Sequence, residues 1–254
     1  MKKYIKVPSN LVSGPVCQNS LMLDGCSVID SCVHSMKGVG NMFLEEHLLL
    51  FVLEGRITLY YGKQTYTVGK NEMILLKKAT SLRYEKEGEP ENDNIYESLM
   101  FCLKDELIKE FLTQSNVKVP RLEEEIKTAV YPMSDCLVAF ANSLYPYFTD
   151  PSTVNPGLLK LKIMELLYDV SESSKNMFHQ ILQLRRPVRA DIRQVVEQYY
   201  ATPVTLPELA FLSGRSLSTF KRDFQQTYNE PPPNGYALNG WKGQKRCCNK
   251  QHFR

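Results

Sequence analysis

Val204-Thr-Leu-Pro-Glu-Leu-Ala-Phe-Leu-Ser-Gly-Arg-Ser-Leu-Ser-Thr-Phe-Lys-Arg-Asp-Phe224 reads as two short helices joined by a tight turn. Thr205 suits an N-cap, and Glu208 three residues on completes a capping box. Pro207 stands in the first turn, where its missing N–H costs nothing. Leu206, Leu209, Ala210 and Leu212 make one apolar face. Gly214 stops the helix, because glycine takes the left-handed conformation that a C-cap needs. Ser216 caps the second helix. Leu217, Phe220 and Phe224 recur at i, i+3 and i+7, so one side of it is core. The remaining side carries Ser218, Thr219, Lys221, Arg222 and Gln225, side chains able to donate to base edges and phosphates. A Gly turn leading into a basic, polar second helix is the layout of a DNA-reading helix-turn-helix. An ordinary helical hairpin with a solvated face fits the same pattern.

Leu209-Ala210, Ser213-Gly214 and Ser216–Phe224 resemble the first helix-turn-helix of the AraC family of transcription regulators. The resemblance runs upstream through Ile192–Tyr200 and downstream through Tyr228-Asn229-Glu230-Pro231, in spacing as well as residue type. Arg215 departs from it, since the family has an apolar residue after the glycine. The resemblance implies double-stranded DNA as partner, with Ser216, Ser218, Thr219, Lys221, Arg222 and Gln225 as contact residues.

The chain has 254 residues, is 43% hydrophobic and 23% charged, and so is long and apolar enough for two folded domains. No run of 18 apolar residues predicts a membrane span. Met1–Lys6 is basic, but no apolar stretch follows to make a signal peptide. Seven cysteines, odd in number and without metal spacing, suit a reduced, cytoplasmic protein. Charge is uneven: residues 185–254 hold 12 Lys/Arg against 5 Asp/Glu, leaving 19 against 23 for residues 1–184. A basic C-terminal part joined to a mildly acidic N-terminal part fits a nucleic-acid binder attached to something that does not touch nucleic acid.

From Cys26 to Leu103 short apolar runs alternate with Gly turns, which predicts a small β-barrel or sandwich. Residues 1–27 are expected to be irregular, with one edge strand. Leu53-Glu54-Gly55, Leu59-Tyr60-Tyr61-Gly62, Tyr66-Thr67-Val68 and Gly69–Leu76 look like the cupin-type N-terminal domain of many AraC-family regulators. Within that family such domains bind a small effector, bind a regulatory protein, or only dimerise. A metal cupin needs two His one residue apart and then a carboxylate. His34 and His47 are thirteen apart, so no metal, no cofactor and no enzymatic activity are expected, and both His are read as surface or edge residues. Phe51, Tyr60, Tyr66, Met73, Leu75, Tyr84, Tyr96 and Phe101 supply wall material for a barrel, about half of them inward. If a ligand pocket exists, Tyr60, Arg83 and Tyr96 are its polar handles.

From Lys104 the period turns helical, with helices at Asp105–Thr113, Asp135–Tyr147, from Asn155-Pro156, and at Met177–Leu184. The third is apolar on more than one face, so it covers the barrel and leaves a face for a second chain, a homodimer interface in the family. The expected fold is therefore α+β. A cupin-like sensor and dimerisation domain spans 1–184, with a barrel about 26–103 and helices about 104–184. The first helix-turn-helix spans 185–233, after a break at Arg185-Arg186-Pro187-Val188. Residues 234–254 read as a disordered basic tail.

In the family a linker helix and a second helix-turn-helix follow. Here Asn234–Cys248 has no helical period and three glycines. Back-translated with one allowed codon set and read in a neighbouring frame, the same bases encode KWLRFKRLERAKALL, an amphipathic peptide resembling that linker. The tail is therefore expected to be a shifted reading frame, and DNA binding by a single head to be weakened. A cupin-like module without DNA function of its own, inhibiting intact regulators, is the competing reading.

Overall fold

The computed structural model describes residues 4–9, 19–34, 37–61, 64–115, 127–184, 192–199 and 205–233. The chain forms two compact units, Met1–Arg186 and Pro187–Arg254. The first holds strands β1 (Tyr4–Val7), β2 (Asn19–Leu23), β3 (Cys26–His34), β4 (Gly38–Leu44), β5 (His47–Glu54), β6 (Arg56–Tyr61), β7 (Gln64–Val68), β8 (Glu72–Leu76), β9 (Thr80–Glu87), β10 (Tyr96–Leu103) and β11 (Val130–Pro132). Its helices are α1 (Asp105–Gln114), α2 (Asp135–Thr149), α3 (Pro156–Ser173) and α4 (Lys175–Leu184). The second unit holds α5 (Ile192–Tyr199), α6 (Leu206–Leu212) and α7 (Leu217–Tyr228). The fold is α+β, as the sequence predicts.

The strands form two sheets, β1-β4-β9-β6-β7 and β11-β8-β5-β10-β3-β2. Between them lies one core, in which Leu44, Leu59 and Leu82 of the first sheet meet Leu50, Leu76 and Met100 of the second. The opposite face of the six-stranded sheet is not solvated. Leu49, Phe51, Met73, Leu75, Phe101 and Leu103 point there into a second core shared with α1 to α4. A sheet covered on both faces has no polar side, which is why Leu48–Leu53 reads as an unbroken apolar run instead of an alternating one. This corrects the wall residues named above. Tyr84 and Tyr96 face the space between the sheets, while Phe51, Met73, Leu75 and Phe101 face the helices.

Turns fix the registers. Gly55 takes φ +72° between β5 and β6, and a Cβ there would stand 2.5 Å from the carbonyl oxygen of Glu87, so only glycine fits. The N-terminal stretch differs from expectation. It supplies two strands, β1 parallel to β4 and β2 antiparallel to β3. Their partners lie far along the chain or across a bulge, so local pattern carries little signal for them. The helices start where their caps predict: Ser134 Oγ accepts from the Leu137 N–H at 3.4 Å, and Asn155 Oδ1 from the Gly157 N–H at 2.8 Å, with Pro156 in the first turn. The break at 185–188 and the tail 234–254 lie outside the described residues.

His47 is fully buried at the start of β5, not at the surface. Its Nδ1 accepts the Lys78 N–H at 3.2 Å, and its Nε2 lies 3.7 Å from Asp105. Burial, with Lys78 nearby, lowers its pKa from 6.5 to about 4. The folded chain therefore holds His47 neutral while the unfolded chain protonates it below pH 6.5. Stability conferred by this group is complete above pH 6.5 and is lost as pH falls towards 4, by about 3 kcal/mol. Urea titrations of the wild type and of His47→Gln at pH 7 and pH 4.5 check this. The wild type is expected to lose more stability than the variant between the two, and equal losses would refute the assignment.

Candidate nucleic-acid interface and regulatory domain

The capping box at the entry to α6 is reciprocal. Glu208 Oε2 accepts from the Thr205 N–H at 2.8 Å and from Thr205 Oγ1 at 2.9 Å, and Thr205 Oγ1 accepts from the Glu208 N–H at 3.4 Å. Gly214 closes the helix at φ +67°, and the Arg215 N–H donates to the Ala210 carbonyl at 2.8 Å. Ser216 Oγ then accepts from the Thr219 N–H at 3.3 Å and starts α7. At its far end Asn229 takes the left-handed conformation, φ 57°, and donates to the Gln225 carbonyl. Asparagine tolerates that conformation, but it was not read as a cap from sequence.

Phe220 and Phe224 are fully buried in α7, their ring centres 5.9 Å apart. Leu209 and Ala210 of α6 and Ile192, Val195 and Val196 of α5 are buried in the same unit. The other face of α7 exposes Ser218, Lys221, Arg222 and Gln225, with Gln226 beside them. Ser218, Lys221, Arg222 and Gln225 fall at i, i+3, i+4 and i+7, so they share one stripe. Thr219 is half-buried and bonded through its hydroxyl to Ser216 at 2.9 Å. Ser216 and Thr219 thus serve the helix start, with Ser218 Oγ also 3.1 Å from Ser216 Oγ, and the exposed stripe belongs to the other four.

Arg215, which departs from the family pattern, has a defined place. Its Nε donates to Asp223 Oδ2 at 3.0 Å and its guanidinium to the Ser213 carbonyl at 2.8 Å, with the side chain 11% exposed. It ties the turn to the middle of α7. That guanidinium, together with Arg222, holds the Asp223 carboxyl below its ordinary pKa. Arg222 Nε lies 3.3 Å from Asp223 Oδ1 and remains two-thirds exposed.

In the first unit the three ligand handles do not converge. Tyr60 and Arg83 are paired across β6 and β9, with the guanidinium 5.0 Å from the ring centre, on the outer face of the five-stranded sheet. Arg83 also pairs with Glu85. Tyr96 is fully buried between the sheets. There it lines a cavity of about 10 Å³, space for one water-sized molecule, with Lys86 and Ser98. Sequence reasoning missed Lys86 and Ser98. The signal was available, since Lys86 is in phase with Leu82 and Tyr84 on β9. Asp30, also unread, is fully buried, and its Oδ1 accepts from Ser27 at 2.6 Å and from Ser20. Burial holds its carboxyl above the ordinary pKa against those hydroxyls. Among the described residues no three His, Cys, Asp or Glu side chains gather as a metal site, and no helix is long and apolar enough to cross a membrane.

Residues 47–181, more than half of the chain, match the family described as the ExsA N-terminal regulatory domain. The chain belongs to that family. The matched span runs from β5 through most of α4 and so takes in most of both sheets and the helical layer. This ExsA-type regulatory domain, followed in the chain by the helix pair α6 and α7, makes the chain an AraC-family transcription regulator. No curated protein matches it as a relative. Solved structures similar to this family member include ToxT from Vibrio cholerae with an unsaturated fatty acid bound. That likeness is 12% in identity over 80% of this chain and 92% of that one, with a TM-score of 0.42. The AraC-like transcriptional activator CuxR is similar at 11% identity over 89% of this chain and 74% of that one, TM-score 0.33.

Proposed function

We propose that this regulator reads double-stranded DNA by placing α7 in a major groove. Its N-terminal unit dimerises and takes up an effector, a small molecule or a protein, in the cytoplasm, and no enzymatic step is involved. The observation that carries the reading is the exposed stripe Ser218, Lys221, Arg222 and Gln225, set opposite the buried Phe220 and Phe224. A helix held on one face by aromatic packing presents the other rigidly, and phosphate and base contacts need that. The α6–α7 head by itself makes few contacts, so its own binding is weak and steeply salt-dependent, and a linked partner head would add contacts at high effective concentration.

The test is a competition gel shift on the DNA upstream of the gene, at two salt concentrations, with this chain and a frame-restored chain side by side. Specific complexes for the restored chain alone would support a weakened single head. No complex from either chain would refute the DNA reading. Arg222→Ala is expected to cost about 1–3 kcal/mol of binding if Arg222 reads a base, and fluorescence anisotropy on a labelled operator would detect it.

A second reading is an inhibitory partner without DNA function of its own, and one surface suits the dimer that both readings need. Leu158, Leu161 and Tyr168 of α3 are exposed on one stripe, Leu161 by 66%. An apolar stripe on a helix already packed on its other side suits a second copy of the chain. Leu161→Glu is expected to turn a dimer into a monomer, read by light scattering after gel filtration. A wild type that is monomeric at micromolar concentration would remove the proposal.

A further inference from the structure

Thr80, Leu82, Tyr84 and Lys86 of β9 all point between the sheets, and Lys86 is only 4% exposed. Its Nζ lies 3.0 Å from Sγ of Cys32, a fully buried residue of β3. The rings of Tyr96 and Tyr84 flank the ammonium at 5.0 and 5.4 Å from their centres. No carboxylate joins it among the described residues. Sulfur and nitrogen belong to different sheets, six-stranded for Cys32 and five-stranded for Lys86. Ser98 is the residue opposite Cys32 on β10. It is fully buried, lines the small cavity beside Lys86, and its Oγ makes no hydrogen bond among the described residues. An ammonium against a sulfur, with an unbonded hydroxyl aimed into the adjoining space, is more than packing requires. A buried lysine costs stability unless something uses it.

We propose that Cys32 and Lys86 form a covalent cross-linking site, in which a hydroperoxide joins Sγ to Nζ. The thiolate is the form that attacks peroxide, and the Lys86 amine, 3.0 Å from Sγ, stands where it can take the thiol proton. The thiolate takes one oxygen from hydrogen peroxide and becomes a sulfenic acid, with the other oxygen leaving as water. The amine lone pair then attacks sulfur. The S–O bond breaks, and the hydroxyl departs as water with a proton from nitrogen. From thiolate, ammonium and one peroxide the products are one S–N bond and two waters. A second peroxide inserts one oxygen between sulfur and nitrogen and releases a further water. Either product joins the same two residues.

Geometry selects this product over a disulfide. Cys102 faces the same interior, but it lies four residues along β10 from Ser98, about 13 Å away. A disulfide requires Cα atoms within about 7 Å. The link would staple the two sheets across 54 residues of chain, and constraint of so long a loop stabilises the folded state.

The full chain, treated with hydrogen peroxide and mapped by mass spectrometry after digestion, tests this. The expected result is a joined pair of peptides carrying Cys32 and Lys86, lighter than the two separate peptides by two hydrogens, or having lost two hydrogens and gained one oxygen, and released by dithiothreitol. The thermal midpoint should rise by about 5 °C or more and fall back on reduction. Exposed Cys136 reports that the oxidant acted. Lys86→Met removes the buried charge as well as the amine. Lys86→Arg keeps the cation and supplies only a poor nucleophile. In either variant Cys32 should pass to sulfinic acid without a link. The proposal is overturned if Cys32 stays a thiol while Cys136 is oxidised. It is equally overturned if the wild type gives the sulfinic acid seen in the variants.

Discussion

Phe101→Ala is expected to cost the N-terminal unit about 3–5 kcal/mol. Phe101 is fully buried on β10, edge-on to Phe51 with ring centres 5.0 Å apart, and 6.0 Å from Phe140 of α2. It sits where the six-stranded sheet meets the helices, so its removal strips contacts from two elements. The cavity is enclosed by β-sheet on one side and cannot collapse cheaply. A domain of ordinary stability has about 5–15 kcal/mol in all. The variant should therefore show a midpoint in urea lowered by about a fifth or more, with an unchanged slope. A cost under about 1 kcal/mol would mean that Phe101 is not packed between those rings.

The second large effect belongs to Phe224→Ala. Phe224 is fully buried in α7, 5.9 Å from the ring of Phe220 and 4.6 Å from that of Tyr228. The helical unit is small, and small units bury too little surface to absorb a loss of about 3–5 kcal/mol. The expected result is loss of amide-exchange protection throughout α6 and α7 and, with it, loss of any DNA complex, while the sheets keep their protection. Arg222→Ala gives the contrast: full protection with weakened binding. If Phe224→Ala keeps both protection and DNA affinity, the aromatic face is not what holds α7.

These two residues were legible to different degrees. Phe224 falls at helical spacing from Leu217 and Phe220, after a serine cap, and every one of those signals is local. The Thr205–Glu208 box is of the same kind, since its hydrogen bonds close within three residues. Phe101 was read as barrel wall, because strand pattern gives alternation but not which layer lies on which side. Once a sheet is covered twice, as β5, β8 and β10 are, the alternation itself disappears. Lys86 illustrates the reverse case. Its phase with Leu82 and Tyr84 was readable, yet a lysine between tyrosines resembles an exposed strand end until its partner, 54 residues away, is known. Tyr60 and Arg83 fell together because neighbouring strands pair, whereas Tyr96 belongs to the other sheet. The tail, where the frame argument rests, lies outside the described residues.

Strand β10 is a partition one residue thick. Met100 and Cys102 touch the space between the sheets, and Phe101 and Leu103, their immediate neighbours, touch the helical layer. Nothing can push on one surface of such a membrane-thin wall without displacing the other, because interiors packed at crystal density have no slack to take up the motion. A change of packing between the sheets would thus be felt by the helices that carry Leu161 with no hinge and no moving domain, only by the two-faced lining of a single strand.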